Sequence, residues 1–289
     1  MSKKLYSIRT PSAFWGLEKT KILFFCFVYV IIAVGKFPEG EKMKKILLIS
    51  NSFGVDATRY FHGICRKANE QVLTACLYIG GCSLGHHYRN IYSEEKEYQL
   101  YLNGAQTPFK LSIKEALLAD DWDIVTFQQV SSKSGDYSTY EPYLSELSSY
   151  VKKLAPLAKQ YIHAIWAWSD ERLSKSALPY STSAQMTACD NEAYALAARA
   201  IGADGYIPAT IAMEKLYRKI GDAAYRDGSH ASLGVGRYML ALLWFGAIFG
   251  REVCGIEYRD FDEEVTEEEL LIAESCVKET LAEFTYEKI

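Results

Sequence analysis

The chain has 289 residues, enough for one large domain or two small ones. Its 49% hydrophobic and 24% charged residues suit an ordinary globular protein. A formal net charge of −4, with no long run of one sign, argues against a nucleic-acid partner, which would leave a basic patch.

The N-terminal region carries Ile22–Val34, a 13-residue apolar run behind Lys19 and Lys21 that ends in Ala33-Val34-Gly35. It has the look of a signal peptide and is short for a membrane span. Met43-Lys44-Lys45 stands directly before the first strand and reads as a natural start. If Glu39–Met43 is encoded GAA-GGA-GAA-AAA-ATG, the string AAGGAG, a bacterial ribosome-binding site, lies just ahead of ATG. The expected organisation is residues 1–42 as a dispensable leader or upstream artefact and 43–289 as a single domain. Translation from Met43 implies a cytoplasmic protein; a working 22–34 segment implies export. Seven cysteines include no C-x-x-C pair, and Cys65, Cys189 and Cys276 fall on apolar helix positions, so they read as reduced core thiols.

From Lys45 onward, apolar runs alternate with helical periodicity. Ile46–Ile49 reads as a buried strand. Ala57, Tyr60, Phe61, Ile64, Cys65 and Ala68 then follow the spacing of a helix with one buried face. Val72–Ile79 is a second strand, ended by Gly80-Gly81, and a helix is predicted over Glu94–Leu102. Further strands are predicted at Trp122–Phe127, Tyr161–Trp166 and Gly205–Pro208, and further helices at Tyr140–Leu154 and Gln185–Ile201. Ser232–Phe249 is strongly apolar, but Arg237 and three glycines interrupt it, so a buried helix is expected rather than a membrane span. Thr266–Phe284 closes the chain, with Thr266 and Glu269 forming a capping box. Strand–helix alternation with continuous apolar strands predicts an α/β fold, a three-layer α/β/α domain on a parallel sheet of about five strands.

Ligands of such sheets bind outside the carboxyl ends of the strands. Those ends carry Ser50-Asn51-Ser52, Gly80-Gly81-Cys82-Ser83, Gln128-Gln129 with Ser131, and Trp168-Ser169-Asp170; Asp227-Gly228-Ser229-His230 comes late in the chain. A serine, a histidine, a nearby acid and several oxyanion donors are the parts of acyl transfer. Ser52 needs an adjacent base to become a nucleophile, and that base needs an orienting group. Asp227, three residues before His230, is spaced to hold one imidazole nitrogen while the other faces the serine.

These blocks resemble the SGNH/GDSL hydrolases over about Lys44 to Phe249. Asn51-Ser52-Phe53 is similar to that family's first block, Gly80-Gly81-Cys82-Ser83 stands where its oxyanion glycine lies, and Asp227-Gly228-Ser229-His230 matches its D-x-x-H block. The likeness is greatest to a poorly characterised bacterial subgroup with N-S-F, G-G-C-S-L and Q-Q blocks. The resemblance implies a flavodoxin-like fold and a serine esterase with Ser52 as nucleophile, His230 as base and Asp227 as its orienter. It also implies an oxyanion hole from the Ser52 and Gly81 N–H groups, and no metal or organic cofactor. Two positions depart from the pattern. Ser50 stands where a glycine is usual, and the third block supplies glutamine in place of asparagine, with Gln129 expected to complete the oxyanion hole.

The expected substrate is a small acyl ester, an O-acetylated carbohydrate being one form, with Asn51, Gln128, His87 and Trp168 as candidate contacts. Tyr137 and Tyr140 are expected to border the cleft. Simpler readings stand beside this one. Ser52 also fits a helix cap, and Gly81-Cys82-Ser83-Leu84-Gly85 fits the G-x-S-x-G nucleophile elbow, making Ser83 the rival nucleophile. His86-His87 with Cys82 lacks the second cluster a zinc site needs. A non-catalytic carbohydrate-binding relative and a flavodoxin-like nucleotide binder are the other two classes.

Overall fold

The apolar run after Met43 extends as β1 (Lys44–Ser50), buried from Ile46 on, because both faces of the strand are covered by helices. β2 (Val72–Tyr78), β5 (Ile124–Phe127), β6 (Lys159–Ala164) and β7 (Gly205–Pro208) are parallel to it. A hairpin, β3 (Tyr98–Leu102) and β4 (Ala105–Leu111), adds antiparallel strands beside β2. The computed structural model describes residues 43–284, and its seven strands follow the order β4-β3-β2-β1-β5-β6-β7.

One helical layer contains α1 (Ser52–Thr58), α2 (Phe61–Lys67), α8 (Ala209–Ile220), α9 (Val235–Phe249) and α10 (Glu267–Glu283). The other contains α3 (Leu84–Ser93), α4 (Ile113–Ala119), α5 (Tyr143–Leu154) and α7 (Ser183–Ile201). A short α6 (Asp170–Ser174) follows β6. α9 is apolar nearly all round because it is buried nearly all round, against α1, α2, α8 and α10. Among the described residues, no helix is long and apolar enough to cross a membrane.

The expected α/β/α architecture and its five parallel strands are present, and the hairpin is the correction. Helix was expected over Glu94–Leu102; instead α3 ends at Ser93, and Tyr98, Leu100 and Leu102 alternate inward as a strand. Asn103-Gly104 forms the turn, both at positive φ (49° and 80°), the backbone a two-residue hairpin demands. A side chain at Gly104 would come within 2.2 Å of the Arg59 carbonyl. The first expected helix divides into α1 and α2. The capping box of Thr266 and Glu269 is present at the start of α10. The apolar run 22–34 and its cleavage-like end lie outside the described residues, as does Cys26; the other six cysteines are free.

Candidate active site

β1 hands the chain to α1 at Asn51, whose side chain caps the helix by accepting from the Phe53 N–H at 3.1 Å. Asn51, not Ser52, therefore does the capping, which frees the Ser52 hydroxyl. Ser52 Oγ lies 2.8 Å from His230 Nε2, across 178 residues of sequence. His230 Nδ1 lies 2.7 Å from Asp227 Oδ2. A carboxylate only accepts, so Nδ1 carries the imidazole proton and Nε2 is the acceptor facing Ser52.

The Asp227–His230 turn is built locally. Asp227 Oδ1 accepts from the N–H groups of Ser229 and His230 and from Ser229 Oγ, at 3.0, 2.8 and 2.8 Å. Partial burial alone would raise the Asp227 carboxyl. The hydrogen bonds from His230 and Ser229 outweigh it and hold the group well below the usual carboxylate range. Gly228 sits at φ 76°, and a side chain there would come within 2.8 Å of Arg172 Cβ and Ser169 Oγ. The buried helix expected from Ser232 does not begin directly after this turn. The turn closes on itself through the Tyr225–Ala231 bridge, and α9 starts only at Val235. Trp166 Nε1 donates to the Ser229 carbonyl at 2.9 Å, and the Phe53 ring packs between Trp166 and His230, with centroids 4.5 and 5.3 Å away.

Opposite this turn, Ile79–Cys82 forms a tight loop with Gly81 at φ 62°. Asn51 Nδ2 donates to the Cys82 carbonyl at 3.0 Å, tying the loop to the residue next to Ser52. Among the described residues, neither the Ser52 nor the Gly81 N–H has an acceptor. Ser52 stands in the first turn of α1, where amides have no helical partner.

The other sequence candidates take different places. Gln129 is fully buried: its Nε2 donates to Thr139 O and Oγ1, both at 3.1 Å, and its Oε1 accepts from the Leu84 and Val130 N–H groups. Its amide is thus spent on the loop after β5 and is not a third oxyanion donor. Gln128 and Asn51 are also interior, bonded to each other at 2.7 Å, so neither meets substrate as expected. His87 is buried between Cys82 and Tyr98, where burial lowers it to about 3 and keeps it neutral; it is not a substrate contact. Ser83 caps α3 by accepting from the His86 N–H at 3.3 Å, and among the described residues its hydroxyl makes no hydrogen bond to a histidine ring. Trp168 is half-buried, packed against Ala167, Leu173 and Met186, with the Arg172 guanidinium 5.3 Å from its ring centroid; its neighbour Ser169 donates its N–H to the Gly228 carbonyl at 2.7 Å. Tyr140 is buried, its hydroxyl donating to the Ser134 carbonyl, while Tyr137 is half-buried and stacks on it.

One group escaped the sequence reading. Asp56, one turn after Ser52, is 1% exposed and accepts from Arg226 Nη1 on both carboxylate oxygens, at 2.9 Å each. Arg237 adds bonds of 3.0 and 2.8 Å. Arg226 Nη1 also donates to the Ala231 carbonyl at 2.7 Å, so the ion pair clamps the His230 turn to α1. The signal in sequence was a lone acid on the buried face of a helix, four residues from a serine, with an arginine beside Asp227. Among the described residues no group of three or more histidine, cysteine, aspartate or glutamate side chains is placed to hold a metal ion.

The sequence profile of a domain of unknown function, DUF4886, matches residues 45–279. No functionally curated protein matches. A DUF4886 family protein from Bacteroides uniformis, known from its crystal structure, is 27% identical, with a TM-score of 0.76 over 83% of this chain and 95% of its own. A protein from Parabacteroides merdae described as GDSL-like lipase is 13% identical, with a TM-score of 0.50 over 75% of this chain and all of its own. The α/β fold therefore resembles that of a GDSL-like protein.

Proposed function

The chain belongs to the DUF4886 family, and from that premise we propose that it is a serine hydrolase acting on a small acyl ester. The observation that carries the reading is the continuous hydrogen-bonded line Ser52–His230–Asp227 beside two backbone N–H groups that have no acceptor among the described residues. A helix cap explains a serine, but Asn51 already occupies that post. The Parabacteroides protein's description agrees with the chemistry, though at its identity the likeness bears on fold alone.

In this mechanism Ser52 Oγ attacks the ester carbonyl while His230 Nε2 takes its proton. Asp227 holds the imidazole in the required tautomer and stabilises the imidazolium. The carbonyl oxygen, now negative, is met by the Ser52 and Gly81 N–H groups. Collapse of the tetrahedral adduct breaks the ester C–O bond, and His230 returns the proton to the departing alcohol. Water repeats the sequence on the acyl-enzyme: His230 deprotonates it, the acid leaves and Ser52 recovers its proton. O-acetylated carbohydrate is the candidate substrate class, with the half-buried Trp168, whose neighbour Ser169 is bonded to the Asp227–His230 turn, as the ring a sugar would meet.

A fluorophosphonate probe tests the assignment. Labelling is expected in the wild type and in Ser83→Ala and is expected to vanish in Ser52→Ala. No labelling of the wild type would favour a non-catalytic binder, and loss only in Ser83→Ala would move the nucleophile to the G-x-S-x-G loop.

A further inference from the structure

Three side chains form a hydrogen-bonded line across the carboxyl ends of four adjacent strands. His163, in β6, bonds through Nδ1 to Gln128 Oε1 at 2.9 Å. Gln128, just past β5, donates from Nε2 to Asn51 Oδ1 at 2.7 Å. Asn51, just past β1, donates from Nδ2 to the carbonyl of Cys82, just past β2, at 3.0 Å. β2, β1, β5 and β6 are neighbours in that order, so the line crosses three strand interfaces. All four residues are no more than 2% exposed.

The polarity of the line is fixed by the backbone at one end. The Phe53 N–H requires an oxygen at Asn51 Oδ1, and the Cys82 carbonyl requires Nδ2 opposite it. Gln128 must then present its NH₂ to Asn51 and its oxygen to His163, so His163 carries its proton on Nδ1. Burial pushes His163 down to about 3, so the ring stays neutral wherever the protein is folded at ordinary pH. Every donor therefore points toward the Gly81–Cys82 turn. Neither glutamine of the Gln128-Gln129 pair offers an amide to the cleft, so the pair's contribution to catalysis has to be indirect.

We propose that Gln128 is a positioning residue: through Asn51 it sets the Gly81–Cys82 turn against Ser52, so that the two free N–H groups converge on one oxygen. This rests on the serine-hydrolase reading above. A glutamine suits the post because its arm spans the gap between β1 and β6 while its two ends keep opposite polarity. A methionine of similar length has no polarity, and a glutamate offers Asn51 a second acceptor.

The test compares wild type with Gln128→Met and Gln128→Glu on an aryl acetate, with a simple alkylboronic acid as mimic of the tetrahedral adduct, and reads amide exchange over 79–84. The expected result is a kcat loss of about 100-fold in both variants, the scale on which a misplaced donor acts. KM should stay within about twofold, since ground-state binding gains little from the hole. Boronate affinity should fall by the same factor as kcat/KM, and exchange should quicken in 79–84 while the other strands keep wild-type protection. Retained boronate affinity with unchanged exchange would overturn the proposal. So would exchange raised throughout the sheet in both variants, which would make Gln128 merely structural. Failure of the underlying reading shows differently. The wild type would then resist fluorophosphonate, while exchange over 79–84 would still report whether Gln128 holds the turn.

Discussion

Asp227 makes its case over four residues. Its carboxylate accepts from the Ser229 and His230 N–H groups, the Ser229 hydroxyl and the His230 ring, and its depressed acidity has a consequence for stability. A group with a lowered folded-state pKa contributes above its unfolded value, about 3.9 for aspartate, and loses that contribution as pH falls toward the folded value. Asp227→Asn should therefore lower Tm at pH 7 and narrow the gap to wild type between about pH 4 and pH 2. Thermal melts across that range check it. The same substitution should cut kcat by about 10⁴-fold, the scale of losing the correct histidine tautomer. Ser50, the odd residue of the first block, fits the structure through Gly54: a Cβ there would stand 2.0 Å from Ser50 Oγ. Gly54→Ala should cost about 1–3 kcal/mol in urea unfolding, and adding Ser50→Gly should recover most of it. The meeting of Ser52, His230 and Asp227 was legible because a loop at a strand's carboxyl end has one edge to face. Gln128 and Gln129 were not, because sequence gives the residue after a strand but not whether its side chain enters the cleft or runs along the sheet.

Between elements, charge carries the register that apolar packing leaves loose. α1 bears Ser52 and Asp56 one turn apart, and Asp56 joins α1 to α9 through Arg237 and to the His230 turn through Arg226. Breaking a buried pair from one side leaves its partners uncompensated, so Asp56→Ala should cost about 3–5 kcal/mol in denaturant unfolding. Asp190 on α7 is the opposite case. It is fully buried, no cation pairs with it among the described residues, and burial pushes its carboxyl well above the usual range. A raised carboxyl costs the folded state nothing below about 3.9 and progressively more as pH rises past it. Asp190→Asn should thus raise Tm at pH 8 and leave it unchanged near pH 3. The strand at Tyr98–Leu102 was misread because its short alternating stretch follows a charged helical one. The Asn103-Gly104 pair, a strong local hairpin signal, was the cue passed over.

Across the molecule, the five parallel strands were legible because each is a short, unbroken apolar run, which only a sheet covered on both faces tolerates. The hairpin lay beyond that logic, since β4 is mostly exposed and carries little apolar signal. The sheet begins at Lys44, paired with Val72, and Met43 packs on the core. A chain starting at Met43 should therefore keep the Tm and fluorophosphonate labelling of the longer one, whereas a start at Ile49 should abolish both; melts and gel fluorescence compare them.

The two halves of the candidate site differ in how far apart their parts lie along the chain. Asp227 and His230 are three residues apart, while Ser52 and His230 are separated by 178. The Asp227–His230 half needs only a local turn to form, and Ser52 reaches it only when segments far apart in the chain have come together through the whole fold. Closing so long a loop is repaid only by the completed tertiary structure. Hydrolysis would then serve as a gauge of global folding, vanishing in denaturant together with the near-ultraviolet signal of the buried Trp166 and Trp244.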